Sequence, residues 1–255
     1  MAEERVPRHP RPTLDSAWKE ALPLNSVMGI IPAAGTGLRM RSVEEKPYIA
    51  IGGRSILTHT LAVFEACPAV EGYVVVVEPS RVASCREHLA GPGGAHPKLA
   101  DVVAGGSTRQ ESVYRGLMAL DEGIGAVLIH DAARPCVEQG ALEASVLEGV
   151  RHGAVISATP ATDTMKIIRD GVVEATPDRS ALWRAQTPQT FAYRILRAAH
   201  ERAREEGYVG TDDAELVERA GYVVRVLEGS PDNIKVTTAE DLEIAERILR
   251  RQGRI

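Results

Sequence analysis

Aromatic side chains are scarce in this chain, 4% of its 255 residues with only two Phe and two Trp, so it offers no row of rings on which the bases of a single strand would stack. A basic excess is missing too: 30 Lys and Arg stand against 35 Asp and Glu, a formal charge of −5, which argues against a DNA- or RNA-binding footprint. Cysteine is rare. Cys67, Cys85 and Cys136 form no CxxC pair and are odd in number, which speaks against a disulfide framework or a zinc knuckle and for a reducing, cytoplasmic setting. No apolar run approaches the ~18 residues that span a bilayer, so no membrane partner is expected. Residues 1–27 carry Pro7, Pro10, Pro12 and Pro23 among charges, with neither the apolar centre of a signal peptide nor the acid-poor composition of a transit peptide. They read as a disordered tail, with Met28 as an alternative start, ahead of a single domain over 28–255.

Within that domain short β-branched runs alternate with helical patterns. Strands are expected at Val27–Pro32, Gly72–Glu78, Leu99–Ala104, Ala126–His130 and Ala154–Ala158, and helices at Ile56–Cys67, Arg81–Leu89, Thr108–Asp121 and Gly140–Arg151. Continuous apolar strands separated by helices are buried on both faces, the mark of a doubly wound, mostly parallel α/β sheet of Rossmann-like type. Helices at Ala192–Glu206 and Asp212–Ala220, a strand at Tyr222–Leu227 and a helix opened by a Thr237-x-x-Glu240 capping box complete the pattern. One segment breaks it. Met165–Ala175, MKIIRDGVVEA, places two β-branched runs around Asp170-Gly171, a type I′ hairpin signal. A two-stranded ribbon is marginal alone in water, so an arm at about residues 160–182 is expected to project and pack on a second copy of the chain.

The stretch IIPAAGTGLRM, Ile30–Met40, joins the first strand to a glycine-rich loop. A dinucleotide fingerprint needs a third glycine and an acid some 20 residues on; here Leu38-Arg39-Met40 follows Gly37, and the region beyond is Gly53-Arg54-Ser55-Ile56. A Walker A loop needs GK[ST], which the chain lacks. What it has is Arg39 two residues after Gly37 and Lys46 seven later, two cations beside open amides, a setting suited to a triphosphate under attack. Alone, the loop is equally a solvated turn. His130-Asp131-Ala132-Ala133-Arg134-Pro135 follows a buried strand, which puts Asp131 at the carboxyl edge of the sheet, where a carboxylate can hold a divalent cation; alone, Asp131 would be a cap. Asp232 and Lys235 in DNIKVT add a second carboxylate and another cation.

Seven motifs, PAAGTGLRM with Lys46, GGSTRQESV, HDAARP, DTMK, DRSALWRAQTPQ, TDDA and DNIKVT, stand in the order and spacing of the 2-C-methyl-D-erythritol 4-phosphate cytidylyltransferase family, which the chain resembles from about Met28 to Leu249. The resemblance implies transfer of CMP from CTP to methylerythritol phosphate, with Mg²⁺ as cofactor and a homodimer whose arm completes the neighbour's site. It implies that Pro32, Ala33, Ala34, Gly35 and Gly37 wrap the CTP phosphates while Arg39 and Lys46 stabilise charge in the transition state. Gly105, Gly106, Arg109 and Ser112, with Ala132 beside Asp131, match the remaining nucleotide site; Ser107-x-x-Gln110 also reads as a capping box. By the same resemblance Thr164, Arg179, Thr187 and Lys235 hold the acceptor, with Arg179 and Lys235 aiming its phosphate, and Asp131, with Asp232 second, binds the metal. Two departures stand out. Pro47 follows Lys46 where the family usually has glutamine, implying an extended Lys46, and Ser107 replaces a more acidic residue. The sister activity, making CDP-ribitol from ribitol 5-phosphate, is the alternative. A non-catalytic nucleotide-binding module fits the retained cations poorly, and a nicotinamide oxidoreductase lacks its glycine and acid.

Overall fold

The computed structural model describes residues 26–35, 46–90 and 96–255. The expected tail and the expected roles of Gly37 and Arg39 lie outside the described residues, as does the Lys46 side chain.

A seven-stranded sheet carries the fold: β1 (Val27–Pro32), β4 (Gly72–Val77), β5 (Leu99–Ala104), β6 (Ala126–Ile129), β7 (Ala154–Pro160), β10 (Trp183–Ala192) and β11 (Arg225–Glu228), in the order β11-β7-β10-β6-β1-β4-β5. The run GYVVVV of β4 is buried along its whole length because helices cover both faces. On one face Ile31, Val75 and Leu128 pack with Leu57, Leu61 and Phe64 of α1 (Ile56–Ala66), Cys85 and Leu89 of α2 (Val82–Ala90) and Leu142 and Val146 of α4 (Gln139–His152). On the other, Ile30, Val74, Val76 and Ile129 pack with Val113 and Leu117 of α3 (Arg109–Met118), Leu196 and Ala199 of α5 (Tyr193–Glu205) and Leu216 and Val217 of α6 (Asp213–Arg219). Each such side chain removed from water contributes about 1.5–3 kcal/mol before the entropy of ordering is set against it. A smaller core, Ile51, Ile56, Cys136, Val236 and Ile248, seats the terminal helix α7 (Ala239–Arg251). Gly29 of β1 lets the two layers close, since a Cβ there would lie 2.6 Å from the Phe64 ring.

The doubly wound, mostly parallel sheet expected from the pattern is present, with one strand reversed. β10 runs antiparallel to both β6 and β7. Pro188 disguises it in the sequence, because proline cannot donate to a ladder; the structure places it where the register shifts between Ala185 and Gln189. The short pair β2 (Ala50–Ile51) and β3 (Arg54–Ser55) carries no signal in the sequence pattern. Two caps fall one residue later than the spacing suggests: Thr238 with Asp241 closes the box on α7, and Thr108 rather than Ser107 caps α3, accepting from the Glu111 amide. Lys46–Tyr48 forms a 3-10 turn instead of the extended backbone implied by Pro47, whose missing N–H is harmless in a first turn. The hairpin of β8 (Ile167–Arg169) and β9 (Val172–Ala175) forms a separate two-stranded sheet. Asp170 and Gly171 have φ of 50° and 78°, the signs a type I′ turn requires.

Candidate active site

In the sheet order β6-β1-β4 the chain winds away from β1 in both directions, and the carboxyl ends of β1 and β6 part there to leave a crevice, the usual ligand position in such sheets. A cavity of about 690 Å³ opens at that point, lined by Pro32–Gly35 after β1, Glu78 and Pro79 after β4, Gly106–Arg109 and Ser112 at the start of α3, Asp131–Ala133 after β6, and Lys235 and Thr237. Each turn leaves the sheet still tied to it. Ala33 N donates to Val76 O, Gly105 N to Val77 O and Ala132 N to Pro32 O. Val236 N donates to Ala133 O, which brings the distant segment with Lys235 against the turn after β6.

Glycine at 105 and 106 has a steric reason. A Cβ on Gly105 would lie 2.5 Å from Ala34 Cβ and 2.9 Å from Ser112 Oγ, so the two loops touch through it. Over Gly106 folds the Glu111 side chain, whose carboxylate accepts from Ser107 N at 2.8 Å and Ser107 Oγ at 2.9 Å. Those bonds, with Arg115, hold Glu111 down at about 2. Arg115 also donates to Gly105 O at 2.9 Å.

Asp131 is the electrostatic centre. Its Oδ1 accepts from Arg109 Nε at 3.0 Å and its Oδ2 from Lys235 Nζ at 2.7 Å, with Arg134 Nε 3.9 Å from Oδ2. Burial alone would raise its pKa, but the charges of Arg109 and Lys235 outweigh burial and hold it well below the usual carboxylate range. Arg109 in turn donates through Nη1 to Asp213 Oδ2 at 2.7 Å. Burial disfavours its charge, and the two carboxylates more than compensate, raising its pKa.

Behind Asp131, its backbone N–H donates to Thr187 Oγ1 at 3.0 Å, and Thr187 Oγ1 lies 3.1 Å from His130 Nδ1. His130 Nε2 lies 3.2 Å from Arg134 O; a carbonyl only accepts, so Nε2 carries the proton and Nδ1 takes the threonine hydroxyl's hydrogen. Burial pushes His130 down to about 4. Asn233 completes the bracket by donating to Thr187 O at 2.7 Å.

The cavity thus gathers Pro32, Ala33, Ala34, Gly35, Gly106, Arg109, Ser112, Asp131, Ala132 and Lys235, with Gly105 wedged behind. Thr187 is buried beneath it, its hydroxyl committed on both sides. Asp232 is not among the lining residues and its carboxylate pairs with Arg251. Thr164 and Arg179 sit on the exposed arm, where Arg179 donates to Thr162 O at 2.9 Å. Asp213 and His200 join this network although the sequence points to neither as a site residue: TDDA is the one signal for Asp213, and His200 lies in an ordinary amphipathic helix. A Mg²⁺ ion suits the donors present. Among the described residues no group of three or more His, Cys, Asp or Glu is arranged around one point, but Mg²⁺ is commonly held by one or two carboxylates with substrate phosphates and water, and Asp131 supplies such a carboxylate.

The sequence profile of the family described as IspD, 2-C-methyl-D-erythritol 4-phosphate cytidylyltransferase, matches residues 27–251. The enzyme of that name from Geotalea uraniireducens is 46% identical over 226 residues, 88% of this chain and 97% of its own. Among solved structures, 4-diphosphocytidyl-2C-methyl-D-erythritol synthase from Anaerococcus prevotii aligns with a TM-score of 0.77 at 32% identity, over 89% of this chain and 97% of that one. The cytidylyltransferase from Thermus thermophilus gives 0.70 at 33%, over 87% and 98%.

Proposed function

The chain belongs to the 2-C-methyl-D-erythritol 4-phosphate cytidylyltransferase family, and from that premise we propose how its residues divide the reaction. The enzyme transfers CMP from CTP to 2-C-methyl-D-erythritol 4-phosphate, releasing pyrophosphate, in the non-mevalonate route to isoprenoid precursors. A phosphate oxygen of the acceptor attacks the α-phosphorus of CTP; a P–O bond forms there, and the bond to the bridging oxygen breaks with its electron pair leaving on pyrophosphate. A phosphate monoester is largely dianionic at neutral pH, its second pKa being about 6, so no general base is needed. What the protein must supply is alignment and positive charge.

The amides of Ala34 and Gly35 serve the triphosphate, Gly37 joins them by the family's pattern, and Gly105, Gly106 and Ser112 form the nucleoside end of the cavity. Lys235, placed by its bond to Asp131, meets the acceptor phosphate, and Arg39 and Lys46 neutralise the triphosphate by the family's pattern. Asp131 would hold Mg²⁺, which would supply positive charge against the phosphates. Asp232, paired with Arg251, is the weaker metal candidate. Arg109 keeps the Asp131 carboxylate turned to the cavity, and Thr187 anchors its backbone amide. The observation that carries this division is the Lys235–Asp131–Arg109 chain of charge beside two glycine loops at the sheet's switch point.

The arm serves a homodimer. Ile167, Ile168, Val172 and Val173 are about half exposed or more, an unusual amount of β-branched surface for one hairpin, and burial against a second copy would stabilise it. Thr164 and Arg179 then reach the acceptor site of that second copy. A cytoplasmic setting agrees with three free, buried cysteines; no helix among the described residues is long and apolar enough to cross a membrane. The test is pyrophosphate release from CTP and Mg²⁺ with methylerythritol 4-phosphate and, in parallel, ribitol 5-phosphate. Release with the former alone is expected. Release mainly with the latter would overturn the acceptor assignment.

A further inference from the structure

The acidic residues of TDDA, Thr211–Ala214, are divided between two tasks. Asp212 caps α6 by accepting from the Glu215 amide at 2.9 Å. Asp213, the first residue of the helix, turns inward: Oδ2 accepts from Arg109 Nη1 at 2.7 Å and Oδ1 from His200 Nε2 at 3.0 Å. The Asp213 and His200 side chains are 1% and 0% exposed, on the two helices that also carry the buried Leu196, Ala199, Leu216 and Val217. A carboxylate only accepts when ionised, so His200 Nε2 carries the hydrogen; its Nδ1 has no partner. The His200 ring stacks on Tyr114 at 6.1 Å and 24°, and the Arg204 guanidinium lies 4.2 Å from the centre of the Tyr114 ring.

We propose that Asp213 and His200 are positioning residues for cytidylyl transfer, holding the Arg109 guanidinium so that its Nε fixes the Asp131 carboxylate at the edge of the cavity. The inference rests on the reading that the Asp131 cavity is the CTP site. Three features support it. Replacing a buried ion pair by well-packed apolar groups is often neutral or stabilising, so stability alone is a weak reason for the pair. Arg109 is also the first residue of α3, where the positive end of the helix disfavours a cation; the two carboxylates flanking it offset that cost and hold a long side chain in one orientation. Lastly, a planar guanidinium bonded on two edges, to Asp131 through Nε and to Asp213 through Nη1, cannot swing. The orientation is set by the packed ring pair and passes through Asp213 to Arg109 and then to Asp131.

The test is a double-mutant cycle on kcat/KM for CTP, read by pyrophosphate release at saturating acceptor with the melting temperature recorded for each protein. Asp213→Asn in the wild-type background is expected to lower kcat/KM at least about tenfold, and in the Arg109→Lys background less than about threefold, because coupled residues are non-additive. A general structural defect would lower both backgrounds by the same factor. That result, or an unchanged kcat/KM in Asp213→Asn, overturns the proposal. His200 supplies a second cycle should Asp213→Asn not fold. His200→Phe keeps a ring against Tyr114 but loses the donor, whereas His200→Gln restores one, so Gln is expected to recover part of what Phe loses; equal loss in both contradicts the role. The wild-type trace separates the two levels: a silent wild type overturns the assigned reaction and this role with it, whereas an active wild type with equal factors overturns the positioning role alone.

Discussion

Lys235 Nζ lies 2.7 Å from Asp131 Oδ2 while Arg109 Nε lies 3.0 Å from Oδ1 of the same carboxylate. The residues come from the ends of three separate segments, so the charges at the cavity are placed by the fold before any substrate arrives. Preorganised charge needs no reorganisation during reaction. Lys235→Ala is therefore expected to lower turnover about 10²-fold or more, and also to lower the melting temperature, since its partner Asp131 is only 9% exposed and loses one of the cations that offset its burial. Steady-state pyrophosphate release decides it. Turnover within a few-fold of wild type would remove Lys235 from the transition state.

Gly105→Ala tests the contact between the nucleotide loops. The new Cβ would stand 2.5 Å from Ala34 Cβ and 3.2 Å from Val77 O, a backbone atom that cannot turn aside. The expected outcome is a stability loss of about 1–3 kcal/mol by overpacking and a KM for CTP raised at least about tenfold, read by thermal melting and by kinetics. An unchanged KM would show that these loops do not shape the nucleoside end.

Ile168→Asp and Val173→Asp place charges on opposite strands of the arm, at positions paired in register. Both sites are exposed, so the domain should melt near the wild-type temperature. In sedimentation each variant is expected to run as a monomer where the wild type runs as a dimer, with turnover at least about tenfold lower. A wild type that is fully active as a monomer would contradict the arm's role.

Acid should destabilise the fold in a defined window. The unfolded chain binds a proton at His130 below its ordinary value of 6.5, the folded chain only below about 4. Between those values the unfolded state holds more protons, so stability rises with pH and falls as pH drops from 6.5 towards 4. The loss approaches about 3 kcal/mol for this group, and burial lowers His59 and His96 in the same sense. Asp131 and Asp213 act lower. Burial would raise each, neighbouring cations and hydrogen bonds hold each below its ordinary 3.8, so their stabilisation is present above that value and disappears beneath it. Urea midpoints measured through the window should slope with pH for wild type and slope less for His130→Asn. Parallel slopes would contradict the assignment to His130.

Much of this organisation is legible in the sequence for identifiable reasons. Runs such as GYVVVV and AVLI announce buried parallel strands, and Asp170-Gly171 announces its turn, because both signals are local. β10 is hidden because Pro188 interrupts its ladder, and only the pairing of β10 with β6 and β7 shows that the interruption is a bulge placing Thr187 under Asp131. Asp131, Lys235 and Arg109 are readable as types, a carboxylate at a strand end and cations in motifs. Their convergence is not, since it depends on Val236 pairing with Ala133 across the chain. Asp213 and His200 are the least legible. A buried carboxylate and a buried histidine become distinguishable from a surface cap and a helix-face residue only once α5 and α6 are packed.

Asp131 carries the central claim, and the most direct measurement is Mg²⁺-dependent pyrophosphate release from CTP and methylerythritol 4-phosphate by wild type and Asp131→Asn side by side. The account predicts Mg²⁺-dependent release by the wild type and a fall of about 10²-fold or more in the variant, with its apparent Mg²⁺ requirement shifted to higher concentration. Release by Asp131→Asn within a few-fold of wild type, at the same Mg²⁺ concentration, would contradict it.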